Sequence, residues 1–159
     1  MACPVVTVEG LSRFSGPRGL AVEARRFPQD LASVRDNIYK CTACYRCTDV
    51  CPAKIPLTKQ ILDMRRSLFS PEWALEGHAR ILANIDAHRR SVEPSRDRPT
   101  FKPSEARLLY FPGCIAENRL PDIVRSTSSL LQKGRQPFRV PEKWSCCGAP
   151  LEKVGDEDR

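Results

Sequence analysis

Apolar residues recur at helical spacing through most of the first ninety positions. Leu20, Ala24 and Phe27 share one face of a stretch at 17–27, which Pro17 opens and Pro28 ends, so the pattern predicts a short helix there. A second helix is expected from Asp30 as its cap, with Leu31, Val34 and Ile38 inward, delivering the chain directly into Cys41. Thr58 precedes Ile61, Met64 and Leu68 as the expected cap of a third. Ser70-Pro71 opens a longer stretch with Leu75, His78, Ile81, Leu82 and Ile85 inward. The first part of the chain is therefore expected to be helical, with a cysteine loop between helices.

Residues 91–106 break the pattern, with Pro94, Pro99 and Pro103 set among Arg, Asp and Ser, a composition that favours an extended linker. The expected division is a domain at 1–90, a linker at 91–106 and a second domain at 107–159. In the last of these Leu108-Leu109-Tyr110-Phe111 reads as a buried strand stopping at Pro112-Gly113-Cys114. Pro121 opens a helix with Ile123, Val124, Thr127, Leu130 and Leu131 on one face, and Gly134 closes it. Phe138-Arg139-Val140 is the second strand, followed by a loop holding Trp144, Cys146, Cys147 and Gly148. Strand, helix, strand is the unit of a parallel sheet. Both strands then point the same way, which would bring Cys114 and the Cys146-Cys147 pair together at their carboxyl ends, where open sheets bind ligands.

Composition narrows the chemistry. The chain has 159 residues, 8 Cys, 14 Pro and a formal net charge of +7, enough for one ordinary domain or two small ones with little core each, so bound metal would contribute to folding. No run approaches the roughly 18 apolar residues of a membrane span, and Arg13 and Arg18 interrupt any signal-peptide core. A cytoplasmic location is expected, where a Cys-rich sequence binds metal more often than it forms disulfides. The basic balance is compatible with nucleic acid, an anionic surface or an acidic partner. Its positive residues are scattered and no aromatic-basic pattern accompanies them, so nucleic-acid binding is not favoured. There is no glycine-rich phosphate loop and no G-x-S-x-G elbow. The only His, His78 and His88, both fall on an expected helix, where they read as packed and solvated residues.

The strongest chemical signal is Cys41-Thr-Ala-Cys44-Tyr-Arg-Cys47-Thr-Asp-Val-Cys51-Pro52. Its spacing is that of the bacterial ferredoxin run, in which two-residue gaps let one looping segment cover three corners of a 4Fe-4S cubane. In two-cluster ferredoxins the fourth Cys of such a run ligates the other cluster. Cys3-Pro4 has the ending of another such run, so Cys3 is the expected fourth ligand to the cluster on Cys41, Cys44 and Cys47, while Cys51 faces a second site. The alternative is that Cys51 closes a single cluster locally and Cys3 is a free thiol. Lys40, Arg46 and Lys54 are either solvated or raise a cluster's potential, and Tyr45 either packs or shields.

The second candidate site is Cys114 with Cys146-Cys147-Gly148. Adjacent Cys rarely bond each other but can present two thiolates from one tight loop, with Gly148 allowing close backbone approach. The arrangement resembles the first half of the CCG domain, the cysteine-rich module of heterodisulfide reductases. That resemblance implies Cys114, Cys146 and Cys147 as ligands of a second, noncubane four-iron centre. Cys3-Pro4-Val5-Val6, Phe14-Ser15-Gly16-Pro17, the 41–52 run and Asp63-Met64-Arg65-Arg66 are likewise similar to the helical ferredoxin domain of heterodisulfide reductases, thiol:fumarate reductase and succinate dehydrogenase iron-sulfur subunits. The expected fold class is therefore mainly α, an α-helical ferredoxin domain followed by a partial α/β CCG domain. The full CCG domain of that family continues to a further Cys-x-x-Cys, whereas the sequence stops 12 residues after Cys147, so both edges are expected to be truncated.

The leading functional expectation is an electron-relay subunit passing single electrons through a 4Fe-4S cluster within a redox complex. Its expected partners are a flavin or iron-sulfur donor and a CCG-domain or membrane-anchored acceptor, the latter holding the chain peripheral to a membrane. The alternatives are a catalytic disulfide reductase whose CCG centre is completed elsewhere, and a nucleic-acid-binding protein with a structural cluster.

Overall fold

The computed structural model describes residues 3–26, 31–102 and 104–159. Expectations at Phe27, Pro28, Asp30 and Pro103, and for the side chains of Ala24, Leu31 and Trp73, lie outside what is described. The chain is mainly α-helical with one two-stranded parallel sheet, and it divides into two compact units: Met1–Trp73 with Leu151–Arg159, and Ala74–Pro150.

In the first unit α1 (Pro4–Glu9), α2 (Gly16–Arg26), α3 (Leu31–Lys40), α4 (Arg46–Asp49) and α5 (Leu57–Leu68) surround one small core. Phe14, Leu20 and Ile38 are fully buried there, with Val6, Val34 and Ile61 beside them, and α2, α3 and α5 pack on one another through these residues. Each such side chain contributes about 1.5–3 kcal/mol by leaving water. Helix α1 has no counterpart among the expected elements. Cys3 is its cap residue, Pro4 its first, and the Cys3 carbonyl accepts both the amide (3.2 Å) and the hydroxyl (3.1 Å) of Thr7. Cys3 is thereby fixed against the core.

Two expected helix starts differ in detail. Thr58 lies inside α5, fully buried. Its amide donates to the Thr48 hydroxyl (3.1 Å), so Thr48, not Thr58, supplies the capping oxygen. The long helix expected from Ser70-Pro71 is a 3₁₀ turn (Pro71–Trp73) followed by α6 (Glu76–His88), and of the expected inward residues only Leu82 is buried.

The second unit holds α6, β1 (Leu108–Leu109), α7 (Cys114–Asn118), α8 (Pro121–Lys133) and β2 (Phe138–Arg139). The strands run parallel with Leu108 opposite Phe138 and Leu109 opposite Arg139, as the strand-helix-strand pattern requires. The expected burial of the first strand fails: Leu108, Leu109 and Phe111 are 43, 48 and 43 % exposed. A parallel sheet is normally covered on both faces, and the half-exposed residues here show that this one is covered only in part. On α8, Val124 and Ser128 are buried, while Ile123 and Leu130 face outward.

The proline-rich stretch is fastened rather than free. Ser95 donates its amide to Asn118 Oδ1 (3.0 Å) and Arg125 donates to the Asp97 carboxylate (2.7 Å), all within the second unit. The division at 91–106 follows composition; contacts instead group α6 with the second unit and residues 151–159 with the first. The helix α9 (Ala149–Val154) leads into that last segment.

Candidate iron-sulfur sites

The Cys41 loop is built from unusual backbone. Ala43 and Tyr45 both take left-handed conformations (φ 51° and 66°), and Tyr45 then becomes the cap of α4, which carries Cys47 in its first turn. Non-glycine residues adopt this region only when the surroundings hold them there, a feature concentrated at functional sites. The turn folds the Ala43 amide back onto Cys41 Sγ (3.4 Å), a hydrogen bond of the kind that stabilises a thiolate and raises a cluster's potential. On the other side Cys47 Sγ lies 3.7 Å from the buried Thr58 hydroxyl, which also meets the Thr48 hydroxyl at 3.1 Å.

Burial pushes the Cys41 thiol above its ordinary pKa; the Ala43 amide and the Arg65 guanidinium pull the other way, and the thiols of Cys47 and Cys3 add to the rise. Three thiols from two distant segments are thus electrostatic neighbours. Cys3 and Cys47 also line one cavity of about 720 Å³ with Val6, Leu11, Val22 and Val50. Cys44 is exposed and Cys51 half-buried.

At the second site Cys114 is buried at the start of α7, just after Gly113 (φ 77°). Burial raises the Cys146 thiol; the Gly148 amide opposes this, and a hydrogen bond to Cys114 together with the Cys147 thiol reinforces it. Cys114, Cys146 and Cys147 are therefore brought together as the parallel strand order predicts. Gly148 sits at φ 84°, a conformation strained for any other residue.

A polar bracket that sequence reading missed supports this loop. Arg90 lies over the Trp144 ring (3.5 Å to the centroid), donates to the Trp144 carbonyl and pairs with the buried Glu117 (3.6 Å). Phe111 meets the same ring edge-on at 4.6 Å, the Cys146 amide donates to the Arg89 carbonyl (2.8 Å), and Asn118 donates to the Cys114 carbonyl (3.0 Å). No local motif marks these residues, because they meet only through the fold.

The donor set fits a cluster: thiolates at ferredoxin spacing are the soft ligands an iron-sulfur centre takes.

Two family models match the chain. Residues 1–55 match a 4Fe-4S dicluster domain and residues 108–159 a cysteine-rich domain of the CCG type. The chain joins a dicluster ferredoxin domain to a CCG domain. It is similar to iron-sulfur subunits of the heterodisulfide reductase type. Similar proteins include an uncharacterised iron-sulfur protein of Methanocaldococcus jannaschii, 27 % identical over 139 residues (82 % of this chain, 28 % of that one). Another is a fumarate reductase (CoM/CoB) subunit of Methanothermobacter marburgensis, 25 % identical over 169 residues (99 % and 34 %). A third is a dihydromethanophenazine:CoB–CoM heterodisulfide reductase subunit of Methanosarcina barkeri, 25 % identical over 138 residues (80 % and 34 %). The chain thus spans about a third or less of the length of these relatives. No solved structure matches it.

In the second unit, Arg90 holds the loop that leads to Cys146. Arg90→Met is expected to free Trp144 and leave the buried Glu117 unpaired, a change worth about 3 kcal/mol in comparable buried pairs. Iron bound at Cys114, Cys146 and Cys147 should be lost selectively, as read by iron content in a variant lacking Cys41, Cys44 and Cys47, with a shift in tryptophan emission.

Proposed function

We infer that this heterodisulfide reductase-like protein is an electron-transfer subunit, relaying single electrons through a 4Fe-4S cluster held by Cys41, Cys44 and Cys47 with Cys3 as the fourth ligand. The observation that carries this reading is that Cys3, nearly forty residues away, packs on the same core as Cys41 and lines one cavity with Cys47, beside an amide aimed at the Cys41 sulfur. A bound four-iron cluster supplies reversible one-electron chemistry. The chain's own residues do the remainder. The Ala43 amide and the Thr58 hydroxyl approach two of the sulfurs. Cys51 is assigned to a second cluster position.

Two relatives are named as subunits of reductases, which supports a place for this chain in a redox complex. Its donor would be a flavin or iron-sulfur protein and its acceptor a CCG-domain or membrane-anchored protein. No described helix is long and apolar enough to cross a membrane. A cytoplasmic position, peripheral to a membrane through such an acceptor, follows from that assignment.

A catalytic reading is favoured by one observation, the hydrogen-bonded Cys114 and Cys146 beside Cys147. With a second centre there, the chain would supply part of a disulfide-reducing site. Anaerobic reconstitution separates the two readings. About four iron atoms per chain with a single electron paramagnetic resonance signal on reduction support the relay, and about eight with a second, distinct signal support the CCG centre as well. Absence of any four-iron signal would overturn both.

A further inference from the structure

Arg65 is the most heavily committed charged residue of the first unit, and neither cysteine motif accounts for it. Its side chain is only 3 % exposed. One guanidinium nitrogen donates to the Ile38 carbonyl (2.9 Å) and to the Cys41 carbonyl; the other donates to the Lys153 carbonyl (2.8 Å). The group lies over the Tyr39 ring (5.1 Å), and Tyr39 donates its hydroxyl to the Val154 carbonyl (2.6 Å). Among the described residues no carboxylate pairs with Arg65, and its Nε–H has no hydrogen-bond partner. A buried guanidinium is costly without an opposing charge, and the groups whose charge would act on it are Cys41, whose carbonyl it already holds, and then Tyr39.

The Lys153 and Val154 carbonyls belong to the segment that follows the Cys146-Cys147 pair. That segment is seated on the first unit with Val154 and Asp156 buried, and Glu157 pairs with Arg66. At Gly155 (φ 101°) a Cβ would stand 2.6 Å from the Arg65 carbonyl oxygen, so only glycine permits the approach.

We propose that Arg65 is a positioning residue that couples the Cys41 loop to residues 151–159: iron loading at the first site clamps this segment, and release of the segment loosens the site. The proposal rests on the reading of Cys41 as a cluster ligand. The physical link is one rigid fork. A guanidinium that bridges the carbonyls of Cys41 and Lys153 fixes both segments at once. A metal-bound thiolate at Cys41 supplies the opposing charge that stabilises the fork in place. By thermodynamic reciprocity, whatever strengthens one attachment strengthens the other.

The test uses full-length chain with Cys114, Cys146 and Cys147 replaced by serine, so that bound iron reports the first site. Hydrogen exchange of residues 151–159 is followed by mass spectrometry in apo and reconstituted protein, alongside the rate at which a chelator extracts iron. Iron loading is expected to slow exchange of this segment at least about tenfold. Gly155→Ala, which touches neither a ligand nor the core, is expected to raise exchange in the segment and to speed iron extraction by about tenfold or more. Arg65→Lys keeps the charge but cannot bridge the three carbonyls, and is expected to behave as Gly155→Ala does.

Faster exchange in Gly155→Ala with unchanged extraction would overturn the coupling. So would an Arg65→Lys protein indistinguishable from wild type, or a segment whose exchange ignores iron. If the chain takes up no iron, the cluster reading fails, and the apo comparison of Gly155→Ala with wild type still shows whether the segment is seated as described.

Discussion

Serine at Cys41, Cys44 or Cys47 is expected to abolish the four-iron signal of the first site, and serine at Cys3 to do the same, whereas serine at Cys51 should leave it intact. The first three follow from spacing, since one loop covers three corners of a cubane only if each two-residue gap ends in a thiolate. A serine hydroxyl is neither as soft nor as readily deprotonated, so losing one ligand costs most of the cluster's retention. Cys3 is the discriminating case. It is the cap residue of α1, packs against the same core as Cys41, shares a cavity with Cys47, and its thiol affects Cys41 electrostatically. Iron content and the electron paramagnetic resonance signal of the reduced protein check the series. A full signal in Cys3→Ser, with loss in Cys51→Ser, would make the run a self-sufficient four-ligand site and remove the remote arrangement.

The largest effect on stability is expected from Phe14→Ala. Phe14 is fully buried in a core that, among the described residues, it shares with Val6, Leu20, Val34, Ile38 and Ile61, with Cys3, Tyr39, Cys41, Met64 and Leu68 packed around it. Truncating a buried phenylalanine costs about 3–5 kcal/mol, from lost transfer energy and the cavity left behind. A small unit of this kind has little more than that to lose. The apo form of Phe14→Ala should therefore be largely unfolded, and reconstitution should recover part of its helicity, because iron binding to the native arrangement adds to folding free energy. Urea titrations of apo and loaded protein, followed by circular dichroism, measure this. An unchanged midpoint in the apo variant would mean the core does not hold the ligand platform.

The local chemistry was legible from order along the chain. The run from Cys41 to Pro52 carries its meaning in its spacing, and the parallel strand-helix-strand order was enough to place Cys114 beside the Cys146-Cys147 pair. The misjudged details have a common cause. Thr58 resembled a cap but is buried beside Cys47, where its hydroxyl meets a second threonine; Leu108 and Leu109 resembled a buried strand but lie in a sheet of two strands that is covered only in part. Residue type shows what a side chain can do. Burial depends on what else the chain lays over it.

The sequence by itself determined the chemistry at the run from Cys41 to Cys51: thiolates at ferredoxin spacing in a helical setting, with the Cys-Pro at position 3 available to join them. Spacing within a dozen residues is a local property, readable because a short loop has few ways to surround a cluster. Tertiary structure alone decided what stands behind that loop. The buried Arg65 bridging Cys41 to Lys153, the glycine at 155 that permits the approach, and the Arg90 bracket behind the second cysteine group join residues far apart in the sequence, 88 positions for Arg65 and Lys153 and 54 for Arg90 and Trp144. Such pairings leave no periodicity or spacing to read, because they exist only once separate helices and loops have packed and the buried polar groups must find partners.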